Sequence, residues 1–289
     1  MLYAHLIAPF IEFDFMRRAL VGASVLALSA APIGVFLMLR RMSLVGDAMA
    51  HAILPGAALG YLIAGLSLGA MTLGGLVAGF AVALLAGLIA RITRLREDAS
   101  LAAFYLMSLA LGVTLISARG SNIDLLHVLF GSVLALDDQA LILIGGVATV
   151  TLVTLAIIIR PLVMESIDPV FLRSVSRAGA PAHLAFLALA VLNLVGGFQA
   201  LGTLLAVGLM MLPAIAARFW AKTLTGMIVV ATLIGIVATY AGLLLSYHLG
   251  LASGPTIILV AGVLYLLSII IGTHGGVLLA LLPRKHLEA

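Results

Sequence analysis

Cysteine is absent from this 289-residue chain, which removes thiolate from any set of metal ligands and leaves no basis for reading a redox compartment. Charge is nearly as scarce. Asp, Glu, Lys and Arg make up 9% of the residues, against roughly a quarter in a soluble domain. A chain so poor in charge lacks the surface to dissolve, so ordinary soluble enzymes, nucleic-acid binders and disordered proteins are excluded. There is no G-x-x-x-x-G-K-[ST] run, hence no P-loop with which to bind and hydrolyse ATP. Nor does any Ser/His/Asp or paired-acid arrangement point to an intramembrane hydrolase.

What is present is apolar: 64% of the residues are hydrophobic and the mean hydropathy is +1.31. One bilayer span takes roughly 20 such residues. Divided at charges and turn signals, the apolar runs are 17–40, 47–66, 69–91, 99–117, 138–160, 182–196, 200–219, 223–248 and 255–273. They predict an all-α integral membrane protein, a single domain over 1–289 with about nine transmembrane helices. A re-entrant segment at 124–136 would make the count eight or ten. The run at 182–196 is short for a crossing and ends at Gly196-Gly197, so a broken helix is expected there. Residues 1–16 have no basic start and no clear cleavage site, and read as an amphipathic segment in the interface rather than a secretory signal.

The basic residues give the orientation. The pI near 9.8 comes mostly from thirteen arginines set against apolar runs, which read as topological anchors rather than a nucleic-acid surface. Arg40/Arg41, Arg91/Arg94/Arg96, Arg160 with Arg173/Arg177, Arg218/Lys222 and Arg284/Lys285 share one side if nine spans alternate, and that side is cytoplasmic. Arg17, Arg18 and Arg119 fall on the other. On the cytoplasmic side, 161–181 reads as a helical loop, started by Asp168-Pro169 and stopped by Gly179 and Pro181. In 213–226, Arg218, Trp220 and Lys222 stand at a membrane edge, where an interfacial anchor is the plain reading. Gly75 and Gly79 have the four-residue spacing of close helix packing.

Of the acids, Asp47 starts a span, points into an apolar run and has a histidine close behind it. Asp47 and His51 are four residues apart, on one helix face. Carboxylate plus imidazole suits zinc, manganese or ferrous iron. The same spacing also suits a hydrogen bond made for packing alone, and two ligands are half a site. Pro55-Gly56 predicts a kink just beyond, where backbone carbonyls come free. His127 reads as a satisfied buried histidine, and His183, His248, His274 and His286 as interfacial ones. Met210-Met211 read as core. Asn193 and Gln199 either face a pathway or bond across helices.

Several blocks together resemble one family. LRRMSLVGDAMAHAILPGAALGYL (39–62), EDASLAAFYLMSLALGV (97–113), DLLHVLFGSVLAL (124–136), RPLVMESIDPVFLRSVSRAGAP (160–181), GLMMLPAIAARFWA (208–221) and SYHLGLASGPTIILVAGVLYLLS (246–268) are similar, in order, to the zinc/manganese (ABC-3 type) permeases of bacterial ABC importers. The resemblance implies a homodimeric, multi-pass subunit of the bacterial inner membrane, with a core like that of the vitamin B12 and siderophore importers. Its implied partners are two copies of a cytoplasmic P-loop ATPase and a periplasmic metal-binding protein, with ATP held by the ATPase alone and no cofactor bound permanently. It implies that Asp47 and His51 meet a transported divalent metal, with zinc ahead of manganese and ferrous iron. It makes 213–226 the coupling-helix region, with Ala217, Arg218, Trp220 and Lys222 as the ATPase dock. Met210-Met211 depart from the aliphatic residues more usual in the family. Two other readings stay open: a permease for a metal chelate such as a siderophore, and a proton-coupled secondary transporter. The lack of a second buried acid for a proton relay argues against the last.

Overall fold

The structure is a computed structural model and describes residues 6–42, 45–65, 67–93, 97–118, 133–176 and 178–278. Among them the regular elements are all helical: α1 (Ala8–Glu12), α2 (Asp14–Leu39), α3 (Val45–Ala52), α4 (Leu54–Ala64), α5 (Leu68–Ile92), α6 (Glu97–Ala118), α7 (Asp138–Ile167), α8 (Pro169–Val175), α9 (Gly179–Leu201), α10 (Thr203–Ala217), α11 (Leu224–Leu249) and α12 (Ser253–Ile271). The expected re-entrant segment lies mostly outside the described residues, as do His127, Arg119, Arg177, Arg284, Lys285 and His286. Its last part, Val133–Ala135, is a 3₁₀ turn.

Each of the nine apolar runs falls on a helix, but the described residues do not give nine full spans. Seven are long and apolar enough to cross a bilayer: Asp14–Leu39, Val45–Ala64, Leu68–Ile89, Asp138–Ile167, Gly179–Leu201, Leu224–Leu249 and Ser253–Ile271. Ala99–Gly112 and Thr203–Ala217 are shorter apolar stretches. The expected break at Gly196-Gly197 is not there. α9 runs unbroken to Leu201, and the chain turns at Gly202, whose φ of 96° suits glycine. Gly196 and Gly197 instead make room for neighbours: a Cβ on the first would meet Val147 of α7, and on the second Ala206 of α10. Pro181 does not stop a helix either. It sits in the first turn of α9, where an N–H would be unbonded anyway.

The most buried spans are α2 and α9. α2 packs against α7, α9, α10 and α11; α9 also carries α5 and the short α3. α4, α5 and α6 form a second group beside this centre. The α4–α5 crossing is backbone against backbone, since a Cβ on Gly56 would collide with the Gly74 carbonyl, and one on Gly74 with that of Gly56. Gly75 and Gly79, on the next face of α5, make room for Ile53 and for Val195 and Val191 of α9. Without water between helices, van der Waals contact of this kind is a main source of association. Of the interfacial segment expected over 1–16, residues 6–16 lie among the described residues. There α1 precedes α2, which itself begins at Asp14, and Phe10 stacks on Tyr240 of α11 at 5.2 Å between ring centroids.

The two described arginines on the unexpected side are both paired. Arg17 bonds Asp14 one turn away, and Arg18 meets Asp138 of α7 at 3.0 Å. Gly56→Ala or Gly74→Ala should cost about 1–3 kcal/mol through overpacking. Gly146→Ala, in open space on α7, should be neutral or gain about 0.5–1 kcal/mol. Thermal unfolding of the three variants in detergent tests this contrast, and equal shifts would refute it.

Candidate functional site

α2 ends in a turn that sends the chain back into the bundle. Arg41 N–H donates to the Met38 carbonyl (3.1 Å) and Met42 N–H to that of Leu37 (2.8 Å). This is a Schellman arrangement with Arg41 in the left-handed position, φ 59°. A non-glycine there costs about 1–2 kcal/mol, and the turn delivers Met42 and Val45 to buried positions. α3 then begins against α10, with Gly46 facing Met210 and Met211. Both methionines are buried core residues, as the sequence suggests.

Asp47 and His51 are the polar edge of α3. Asp47 Oδ1 and His51 Nε2 are 3.7 Å apart, with side chains 65% and 32% exposed, while the neighbouring residues of α3 are buried. His51 stacks near Tyr105 of α6, centroids 6.1 Å apart, and its Nδ1 is enclosed without a hydrogen-bond partner. The pair is therefore brought together and faces outward. It remains two ligands: among the described residues no three His, Cys, Asp or Glu side chains gather.

The predicted kink lies directly beyond. The helix breaks at Ile53, and Pro55 supplies no N–H to the His51 carbonyl that a continuous helix would bond. Ser108 of α6 donates to the Ala52 carbonyl at 2.9 Å. Past the break, α4, α5 and α6 enclose an apolar groove of about 530 Å³ lined by Pro55, Leu59, Ile63, Leu73, Val77 and Leu111 among others.

At the opposite face of α2's end lies a constellation that the sequence did not reveal. The Arg40 guanidinium donates to Ser166 Oγ (3.0 Å), the Leu162 carbonyl (3.3 Å) and Glu165 Oε2 (3.3 Å), all on α7. It also meets His183 Nδ1 of α9 at 2.6 Å and lies 5.1 Å from the Phe186 ring centre. Arginine has no acceptor, so Nδ1 accepts and carries no proton. The Arg40 and Glu165 side chains are only 9% and 15% exposed. Their separation of 125 residues leaves no local spacing by which they could have been paired.

The remaining candidates divide by packing. Asn193 bonds across helices, donating to Thr151 Oγ1 of α7 at 2.7 Å. Gln199 Nε2 is buried without a partner. The expected coupling region 213–226 contains no helix of its own: α10 ends at Ala217, a turn follows, and Thr223 caps α11. Ala217 is buried, and the Trp220 indole donates to Ser268 Oγ at 2.9 Å; only Arg218 and Lys222 of the four stand exposed. The short helix in 161–181 is better displayed. Asp168 Oδ1 accepts from the N–H groups of Val170 and Phe171 and so starts α8. α8 then leaves Phe171 and Val175 50% and 69% exposed.

These features define a polytopic helical membrane protein with a carboxylate and an imidazole side by side on one interrupted span. The model of the ABC 3 transport family matches residues 12–272, and the chain belongs to that family. It is 34% identical over 260 residues to the manganese import system permease protein ScaB of Streptococcus parasanguinis, covering 90% of this chain and 91% of that one. It is 30% identical over 270 residues to the chelated iron transport system membrane protein YfeD of Yersinia pestis, covering 93% and 89%. A solved structure, PsaBC from Streptococcus pneumoniae in complex with Fab, superposes with a TM-score of 0.81 at 32% identity over 94% of this chain and 97% of that one.

Ser108→Ala leaves the Ala52 carbonyl unbonded beside the site. It should cost about 1–3 kcal/mol, read as a lower unfolding temperature in detergent; an unchanged temperature would show that the hydroxyl does not hold the break.

Proposed function

We propose that the chain is the permease subunit of a bacterial inner-membrane importer for a divalent transition-metal ion. The observation that carries this is the Asp47–His51 pair, outward-facing on a span whose neighbours are buried. A carboxylate and an imidazole replace part of an ion's hydration shell without holding it too tightly to leave, which a conducting site requires. The same donors suit manganese, ferrous iron and zinc. The name of the ScaB relative moves the first choice from zinc to manganese.

Two ligands per chain support a homodimer in which a second copy completes the coordination and the path runs between the copies. With no P-loop of its own, the chain takes its energy from a partner ATPase and is not an enzyme. A periplasmic binding protein delivers the metal. The exposed apolar side chains of α8 favour this helix as the ATPase dock, and Arg218 and Lys222 are exposed to add to it. Membrane lipid surrounds the remainder. The metal ion is cargo, and no bond of it is chemically changed.

A second reading, import of a metal chelate, is favoured by the YfeD relative and by the apolar groove one turn beyond His51. Uptake into proteoliposomes holding this chain, its ATPase and a loaded binding protein separates the readings. Asp47→Ala and His51→Ala should each lower uptake of free manganese roughly tenfold or more. Chelate uptake that survives both variants would favour the second reading, and undiminished manganese uptake would remove the site. Phe171→Glu should abolish co-purification of the ATPase while leaving the permease folded in detergent. An ATPase still bound to that variant would move the dock away from α8.

A further inference from the structure

We propose that Arg40 is the positioning residue that links the cytoplasmic docking helix to the metal-binding segment, so that movement at one is felt at the other. This rests on the reading that α8 receives the ATPase. α8 is strung between α7 and α9, and Arg40 grips both of those helices next to it. On α7 it holds Leu162, Glu165 and Ser166, in the last two turns before Asp168 caps α8. On α9 it holds His183 and faces Phe186, in the first two turns after α8. A force that tilts α8 therefore reaches the Arg40 guanidinium from two directions.

The other end of the link is covalent. Arg40 is the C-cap of α2, and the hydrogen-bonded turn through Arg41 and Met42 leads to Val45 at the start of α3. Asp47 follows Arg40 by seven residues. α3 is short, and the α4–α5 glycine contact lies beyond the interruption of the helix hydrogen bonds at Ile53. A shift of Arg40 thus turns a rod eight residues long whose exposed edge is Asp47 and His51.

The chemistry of the residue suits this role. A planar guanidinium offers several donors in fixed directions and also packs flat on an aromatic ring, whereas an ammonium is a point charge. A buried ion pair of this kind contributes little net stability compared with apolar packing, and is better at fixing one geometry. The Asp14–Arg17 and Arg18–Asp138 pairs at the other end of α2 are solvent-exposed and do not grip two helices at once.

The test is coupling rather than folding. Arg40→Gln combined with Glu165→Gln removes both buried charges together, and Arg40→Lys keeps the charge without the planar donor set. Each is assembled with its ATPase and binding protein in proteoliposomes, and manganese ions imported per ATP hydrolysed are counted, with co-purification of the ATPase as the check on assembly. The double variant should assemble and hydrolyse ATP while the ion-to-ATP ratio falls roughly tenfold, within the range of a typical coupling free energy. Arg40→Lys should give an intermediate ratio. An assembled double variant with the parent ratio overturns the proposal. If the double variant does not assemble, the Arg40→Lys ratio decides: the parent value overturns it and a lowered one supports it. Failure of the α8 reading shows separately, as an ATPase that stays bound to Phe171→Glu.

Discussion

Hydrocarbon offers no hydrogen bonds, so wherever this chain stops being helical inside the bundle another part of it must supply them. That requirement governs the site. The helix hydrogen bonds are interrupted at Ile53, between α3 and α4, and Ser108 of α6 donates to the Ala52 carbonyl there. The turn after Leu39 closes its own carbonyls through Arg41 and Met42 at the cost of a left-handed arginine. Asn193 bonds Thr151 across the α7–α9 contact. Two of these partnered departures, at Ala52 and after Leu39, flank the segment that carries Asp47 and His51.

The helices of the bundle meet in two ways, backbone against backbone and through side chains. α4 and α5 touch backbone to backbone through Gly56 and Gly74, leaving no side chain to slide. α3 is joined to its neighbours by side chains: methionines at Gly46, a tyrosine beside His51, an isoleucine at the break. Charge is distributed on the same lines. The buried pair, Arg40 with Glu165, holds helices together. The Asp47–His51 pair faces out and has coordination to spare.

Much of this was legible in the sequence because its signals are local. Apolar run length placed the long helices, the four-residue spacing placed Asp47 beside His51, and Asp168-Pro169 marked the start of α8. The misreadings arose where one residue type serves two ends. Gly196-Gly197 looked like a break and proved to be a packing surface, because a glycine that admits a neighbouring helix and one that ends its own are the same letter. Pro181 looked like a stop and stands in a first turn. The hydrogen bond of Trp220 to Ser268 had no signal in the sequence, the two lying 48 residues apart. The Arg40 network could not be read at all, since its members meet only after α2, α7 and α9 have packed.

The pairing of Arg18 with Asp138 has a consequence for how the protein is made. As α2 leaves the ribosome, Arg17 already has Asp14 beside it, but the partner of Arg18 lies 120 residues further along the chain. At about 5–20 residues per second, synthesis of the intervening stretch takes on the order of ten seconds. Throughout that interval α2 carries an unneutralised arginine at the end opposite Arg40 and Arg41. Its orientation during insertion therefore depends on Arg40 and Arg41 at its other end, and becomes fully compensated only when α7 arrives.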